Sequence, residues 1–263
     1  MNLPNWKLPR GVCRGTWDYL QSKSIANDYD RDIADSAIIR LDQQFLLDYL
    51  PAIDSNAAPP LVADLACGTG RISRLLSPKG YRLLNVDLSP AMLEQLKQQC
   101  QHPEQNECVL ANLVEFDFIQ SQSLSMATCL FSSIGMIRGR ENRLLFLRGV
   151  RRALKAGAPL ILHVHNRYHS LWHPSGPSWL ATTWLKSRWS RQWEYGDRVY
   201  VYLGLPSMFL HIYSQRELKQ DLAAAGFNHI ELHAINVPGD AILPKGFFTS
   251  LVAGGFFAVA RWH

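Results

Sequence analysis

Two carboxylates open the chemistry of this chain. Asp64 and Asp87 stand 23 residues apart, each at the end of a hydrophobic run that breaks at once into helix-starting residues. The first run, Leu61 to Leu65, ends in Ala66-Cys67-Gly68-Thr69-Gly70, after which Ile72, Leu75 and Leu76 recur at helical spacing. That pattern predicts a buried strand, a glycine turn and a helix N-terminus. Gly68 and Gly70 leave no Cβ in the way of a ligand approaching the backbone. A dinucleotide fingerprint would place a third glycine three positions beyond Gly70, where Ser73 stands. A carboxylate inside the strand end would repel a pyrophosphate, yet it suits an ammonium group. The second run, Tyr81 to Val86, ends in Asp87-Leu88-Ser89-Pro90. Asp87 is placed to accept both hydroxyls of a ribose. Ser89 is an N-cap and Pro90 suits the first helical turn.

These residues need a parallel sheet to hold them. Further strands are predicted near Cys108 to Ala111, over Ser125 to Phe131 and over Leu160 to His165, with helices over Pro90 to about Cys100 and Glu141 to Leu154. Strands alternating with helices imply parallel pairing through right-handed crossovers. Met1 to Ser24 reads as irregular. Ile33, Ala37, Leu41, Phe45 and Tyr49 predict one or two helices over Ile25 to Leu50, and Pro51 to Pro60 a linker. Beyond His165 the alternation breaks. Arg167 to Trp193 holds five tryptophans, and Arg198 to Leu203 with Met208 to Tyr213 reads as a hairpin joined through Gly204 to Ser207. Ser214 and Glu217 form a capping box opening a helix to Ala225, stopped by Gly226. His229 to Val237 and Phe256 to Arg261 are the last strands.

LVADLACGTG, NVDLSPAMLEQL, ANLVEF and LFSSIGMI resemble the successive motifs of class I S-adenosylmethionine-dependent methyltransferases, closely over Leu61 to Val164 and more loosely to Arg261. The resemblance implies a Rossmann-like α/β fold: a doubly wound, mainly parallel seven-stranded sheet with an antiparallel last strand and a substrate cap. It implies S-adenosylmethionine as cofactor. Asp64, Ala66, Gly68 and Gly70 would line its methionine part, Asp87 would hold the ribose, and Leu88 and Met92 would flank the adenine. Asn112 and Leu113 would meet the adenine edge, and Phe131 the methionine end beside the substrate. Asn112 departs from the family's frequent Asp, but its amide oxygen can still accept from an adenine amino group. Tyr29 resembles the N-terminal tyrosine that many small-molecule methyltransferases fold over the cofactor; an ordinary helix contact is the other reading.

Methyl transfer is an in-line displacement on an already activated methyl, so alignment and desolvation carry much of the rate. A base is needed only if the nucleophile arrives protonated. His163 and His165 lie two apart on a strand and share one face. His165, nearer the strand end, is the preferred base; a structural, hydrogen-bonded histidine is the alternative. Ser132 and Ser133 could bond the substrate or cap the strand end. No Asp/Asn-Pro-Pro-aromatic run follows the fourth strand and no Pro-Cys pair occurs there, which argues against base-amine and cytosine C5 methylation.

The chain has 263 residues, 47% of them hydrophobic, enough for one sizeable core. No apolar secretory core opens it and no run approaches the ~20 apolar residues of a membrane span. Five scattered cysteines without a C-x-x-C pair argue against a zinc or disulfide scaffold and for a reducing cytoplasm. Of the net charge of +5, much falls between Arg167 and Arg216, where six basic residues face two acidic ones. The tryptophan-rich insert reads as a lid over a small-molecule pocket, as a nucleic-acid surface, as a lipid contact helped by Phe247-Phe248 and Leu251-Val252, or as a self-association surface. The expectation is therefore N-terminal cap helices over residues 1–50 and a methyltransferase domain over 51–263, with a lid at about 167–213. The expected activity is methyl transfer to a small-molecule nitrogen or oxygen. An RNA-modifying methyltransferase and a non-catalytic cofactor-binding protein are the rivals. The sequence carries no integral membrane segment and no signature of an oligomeric state.

Overall fold

The computed structural model describes residues 3–246 and 248–263. Its central sheet has the strand order β3-β2-β1-β4-β5-β9-β8. The strands are β1 (Leu61–Leu65), β2 (Arg82–Asp87), β3 (Asn106–Leu110), β4 (Met126–Cys129), β5 (Leu160–His165), β8 (His229–Ile235) and β9 (Gly255–Arg261). Strands β1 to β5 pair parallel, and β9 runs antiparallel between β5 and β8. This is the seven-stranded, Rossmann-like sheet that the motifs imply. The chain reverses direction across the sheet between β1 and β4, so a crevice opens beyond the C-terminal ends of those strands.

Alternation along the strands divides the core into two layers. Ala63, Leu65, Leu160, Leu162 and Val164 pack towards α6 (Arg140–Ala153) and α8 (Gln215–Ala224). Val62 and Ile161 face the opposite way, with α3 (Ala37–Leu47) and α4 (Arg71–Leu76). Both faces of the inner strands are buried, which explains their continuous apolar runs. Ser89 caps α5 (Pro90–Gln99) by accepting from the Met92 N–H, and the Ser214–Glu217 capping box opens α8. A cap of this kind contributes about 1 kcal/mol.

Three local expectations are corrected. Met1 to Ser24 is not irregular throughout: α1 (Arg14–Gln21) and α2 (Lys23–Ile33) form within and beyond it, although Met1 and Asn2 lie outside the described residues. Ser22 both ends α1 and caps α2 through the Ile25 N–H. Strand β4 stops at Cys129 rather than Phe131, because Phe131 and Ser132 adopt positive φ values of 53° and 62° and turn the chain off the sheet. The hairpin of β6 (Asp197–Tyr202) and β7 (Leu205–His211) closes through Leu203-Gly204 alone, both at positive φ, a tighter turn than the four-residue connection expected.

A second layer stands over the strand ends. α1 touches β7 so closely that a Cβ on Gly15 would lie 2.0 Å from the Ser207 carbonyl oxygen. α2 is tied to the glycine turn: Thr69 Oγ1 donates to Asp30 Oδ1 at 2.5 Å and Arg74 Nη2 donates to Asp30 Oδ2 at 3.1 Å. The insert adds a 3-10 segment, Arg167–Trp172, and α7 (Gly176–Trp189) before the hairpin. Helix α9 (Thr249–Val252) precedes β9. No helix among the described residues is long and apolar enough to cross a membrane.

Candidate active site

The ends of β1, β2 and β4, the N-terminal helices and the hairpin enclose a cavity of about 570 Å³. That lies within the ~300–1,000 Å³ typical of ligand pockets. Ala66, Gly68, Asp87, Leu88, Met92, Asn112, Leu113 and Phe131 line it, together with Tyr29 and His165. Two predicted residues stand elsewhere. Asp64 faces a smaller adjoining hollow shared with Tyr29, Gly68, Arg71 and Phe131. Gly70 lines neither; its φ is 83° and a Cβ there would meet Leu96 Cγ at 2.4 Å. A glycine at this position lets the turn pack closely on α5.

Gly68 leaves open space beside the turn. Its φ is 54°, and a Cβ would have only the Tyr29 ring within 4 Å, at 3.7 Å. Ala66, Phe131 and Ser132 also hold left-handed backbone, at 61°, 53° and 62°. Each such non-glycine residue costs of order 1 kcal/mol, and three of them meet at this one crevice.

The two carboxylates sit in different settings. Asp87 is buried, and its two oxygens accept from the Gly68 and Ser89 backbone N–H groups, both at 2.8 Å. Burial raises its pKa above the ordinary range, while those backbone donors pull it down. Asp87 thus links the two turns at this end of the cavity, a structural part that its expected ribose role did not include. Asp64 accepts from Thr128 Oγ1 at 2.9 Å. Burial pushes it up to about 6, against the Thr128 hydroxyl and the Arg71 charge. Asn112 donates to the Arg10 carbonyl at 2.9 Å and its amide oxygen accepts from the Val114 N–H at 3.1 Å, leaving a second lone pair.

At the other end of the cavity, the two histidines of β5 separate. His163 is buried, its Nδ1 3.4 Å from Asp42 Oδ1. Asp42 receives Arg71 Nη2 at 3.0 Å and is pushed up to about 7 by burial. His165, the exposed last residue of β5, lines the cavity. Its imidazole makes no hydrogen bond among the described residues; only its backbone N–H does, to Ser132 Oγ at 3.3 Å. Burial lowers its pKa, with the His169 charge assisting, so the ring is a neutral base at pH 7. Ser132 holds the His165 backbone and Ser133 Oγ donates to the Leu130 carbonyl at 2.9 Å, the capping role that was one of the two readings of this pair.

Residues 62–157 match the family model described as a methyltransferase domain. Over those residues the chain carries a methyltransferase domain, and its fold is that of S-adenosylmethionine-dependent methyltransferases. YqeM of Bacillus subtilis (strain 168), whose own assignment as a methyltransferase is provisional, is 27% identical over 107 residues, 41% of this chain and 43% of its own length. The match therefore spans less than half of that relative. Among solved structures, a SAM-dependent methyltransferase from Methanosarcina mazei superposes with a TM-score of 0.61 at 17% identity, covering 83% of this chain and 96% of that one. The CcbJ methyltransferase of Streptomyces caelestis gives 0.62 at 16%, covering 92% and 98%. At these identities the likeness is one of fold, and it extends well beyond the residues matched by the methyltransferase domain model.

Several cavity residues come from the segments expected as cap and lid without having been singled out for contact. Arg10, Tyr19 and Leu20 come from the N-terminal segment. Tyr200, Met208, Leu210 and Ile212 come from the hairpin. Behind the hairpin lies a network that no motif announced. His211 Nδ1 is 2.8 Å from Asp197 Oδ1 and its Nε2 is 3.0 Å from Glu217 Oε1. Arg143 donates to Glu194, Arg167 to Glu217, and Arg140 Nε to Asp221 Oδ1 at 2.6 Å. Glu194, His211 and Glu217 lie close enough together to suggest a metal site. The glutamates, however, are already bound by arginines and the histidine by two carboxylates, so the group is an ion-pair network joining the hairpin to α6 and α8.

Proposed function

We propose that this chain transfers a methyl group from S-adenosylmethionine to a nitrogen or oxygen nucleophile of a small molecule, in the cytoplasm. The cofactor fits the residues present. The open left-handed Gly68 offers a backbone cradle, Asp87 keeps acceptor capacity beside it, and Asp64 presents a buried carboxylate for an ammonium group. When bound, the cofactor supplies a sulfonium methyl already activated for displacement. The chain's own part is alignment, exclusion of water and movement of a proton. Tyr29 lies over the glycine turn and keeps its phenol protonated, since burial raises its pKa. Residues of α1, the 3-10 segment and the hairpin cover the acceptor end. His165 can accept the acceptor's proton at a ring nitrogen.

One observation supports the small-molecule reading: residues of the hairpin and the N-terminal helices line the acceptor end of a concave pocket of small-ligand size. The RNA alternative draws on Trp184, Arg188 and Arg191, and none of these lines the cavity. Five thiols, all unpaired, support the cytoplasmic assignment. The test is His165→Gln. Turnover should fall by roughly 10²-fold or more with cofactor affinity held, and the acid limb of the pH–rate profile should flatten. An unchanged profile would remove the base, and a collapsed thermal transition would return His165 to a structural role.

A further inference from the structure

The cavity does not end at His165. Ser170, His173 and Arg198 line both it and a second hollow of about 280 Å³, so these three side chains stand at the passage between the two. The charges around this passage are one-sided. Asp87, at the cofactor end, is the only carboxylate among the described residues lining either space. Arg198 is exposed there and forms no ion pair among the described residues; its guanidinium lies 5.6 Å from the centre of the Trp179 ring. Arg140, Arg143 and Arg167 nearby are each matched to a carboxylate. His173 stands edge-on to His169 at 4.8 Å between ring centres, adding N–H donors beside a cation.

Resting on the small-molecule reading above, we infer that the acceptor carries an anionic group, a carboxylate or a phosphate monoester, seated against Arg198, His173 and Ser170. A guanidinium grips either group through paired N–H donors, and a serine hydroxyl and imidazole N–H groups complete such a cradle. The apolar hairpin residues Met208, Leu210 and Ile212 then cover the uncharged body of the acceptor. The anchor fixes one end of the molecule and limits which atom can be presented beside His165, so Arg198 sets specificity and takes no part in the displacement.

The test has a binding arm and a transfer arm. Protein saturated with S-adenosylhomocysteine, with labelled arginine and histidine side chains, is titrated with inorganic phosphate and separately with benzoate at constant ionic strength. We expect saturable shifts at Arg198 Nε–H and the His173 ring, lost in Arg198→Ala and partly kept in Arg198→Lys; phosphate alone or benzoate alone would name the anion. No saturable shift with either, or the same shifts in Arg198→Ala, overturns the inference. In the transfer arm, amines and phenols are offered in matched pairs, one member anionic and one uncharged. Arg198→Ala should raise KM for the anionic members by roughly tenfold or more, with kcat and cofactor affinity little changed. Equal use of both members, unaffected by the mutation, overturns the anion site and leaves small-molecule transfer standing. Label appearing in RNA and in no small molecule overturns the small-molecule reading itself, and the acceptor anion with it.

Discussion

The two ends of the cavity are built by different means. At the proposed cofactor end, the wall draws on residues within Leu61 to Met92: a short strand, a left-handed turn, a second strand and the Ser89-capped helix α5. At the proposed acceptor end, the wall comes from β5, the 3-10 segment and the hairpin, tied through Arg167 and His211 to Glu217 of α8. The first end is preorganised by backbone, the second by side chains. Backbone turns tolerate little change and serve an invariant ligand, whereas a side-chain-built wall can be respecified without disturbing the sheet.

The sharpest way to break this contrast is at His211. A neutral imidazole has one donor, yet both ring nitrogens here face carboxylates, so the ring is held as a cation. His211→Ala leaves Asp197 and Glu217 short of a partner in a buried setting and should cost about 3–5 kcal/mol in thermal or denaturant unfolding. Cofactor affinity should change far less. The pH dependence follows from the same geometry. The Asp197 and Glu217 hydrogen bonds raise the His211 pKa above its ordinary 6.5 despite burial and the facing Arg143. Its contribution is full below 6.5 and is lost as pH rises through the folded value. His211 and the facing arginines bring Glu217 down to about 2, so its contribution is present above its ordinary 4.5 and fades as pH falls towards 2. The docked hairpin should therefore be most stable between these limits, seen as a fall in melting temperature above neutrality that His211→Ala lacks.

Asp87 sharpens the comparison from the other side. Asp87→Ala should weaken cofactor binding by about 1.5–3 kcal/mol, the scale of hydrogen bonds to a charged group. Because Gly68 and Ser89 lose their acceptors, stability should fall too, by about 1–3 kcal/mol. Calorimetry showing unchanged cofactor affinity would remove the ribose role and leave Asp87 as a brace between turns.

This division also explains what could be read from the chain. The strand–turn–helix units were legible because each of their devices is local. The Asp87-Leu88-Ser89-Pro90 run and the glycine turn after β1 declare themselves within a few residues. The packing of Gly70 on Leu96 of another helix has no such local sign. Tyr29 was singled out by resemblance, but the Asp30 contacts that seat its helix had no local sign, because they span about forty residues. The insert was read as basic and aromatic, and its composition hid a division of labour. Its 3-10 segment and hairpin line the cavity, whereas Trp172, Trp184 and Trp189 are exposed. Arg191 lies beyond the end of α7, so it does not share a helical surface with Trp184 and Arg188. The lipid-contact reading rested partly on Phe247, which lies outside the described residues.

The smallest effect is expected on that outer face. Arg188 stacks 5.7 Å over exposed Trp184, a contact worth roughly 0.5–1 kcal/mol. Replacing both with Ala should leave cofactor affinity and small-molecule turnover nearly unchanged. A steep loss of salt-dependent RNA binding in that double variant would move function from the cavity to this face.

The most direct measurement of the central claim is labelled-methyl transfer from S-adenosylmethionine into a fractionated extract, separated into small molecules and RNA, with ligands co-purifying with the protein identified by mass spectrometry. Cofactor or its demethylated product in the purified protein, with label in a small-molecule fraction and its loss in His165→Gln, is the predicted result. Label confined to RNA, or no cofactor bound and no label transferred, would contradict it.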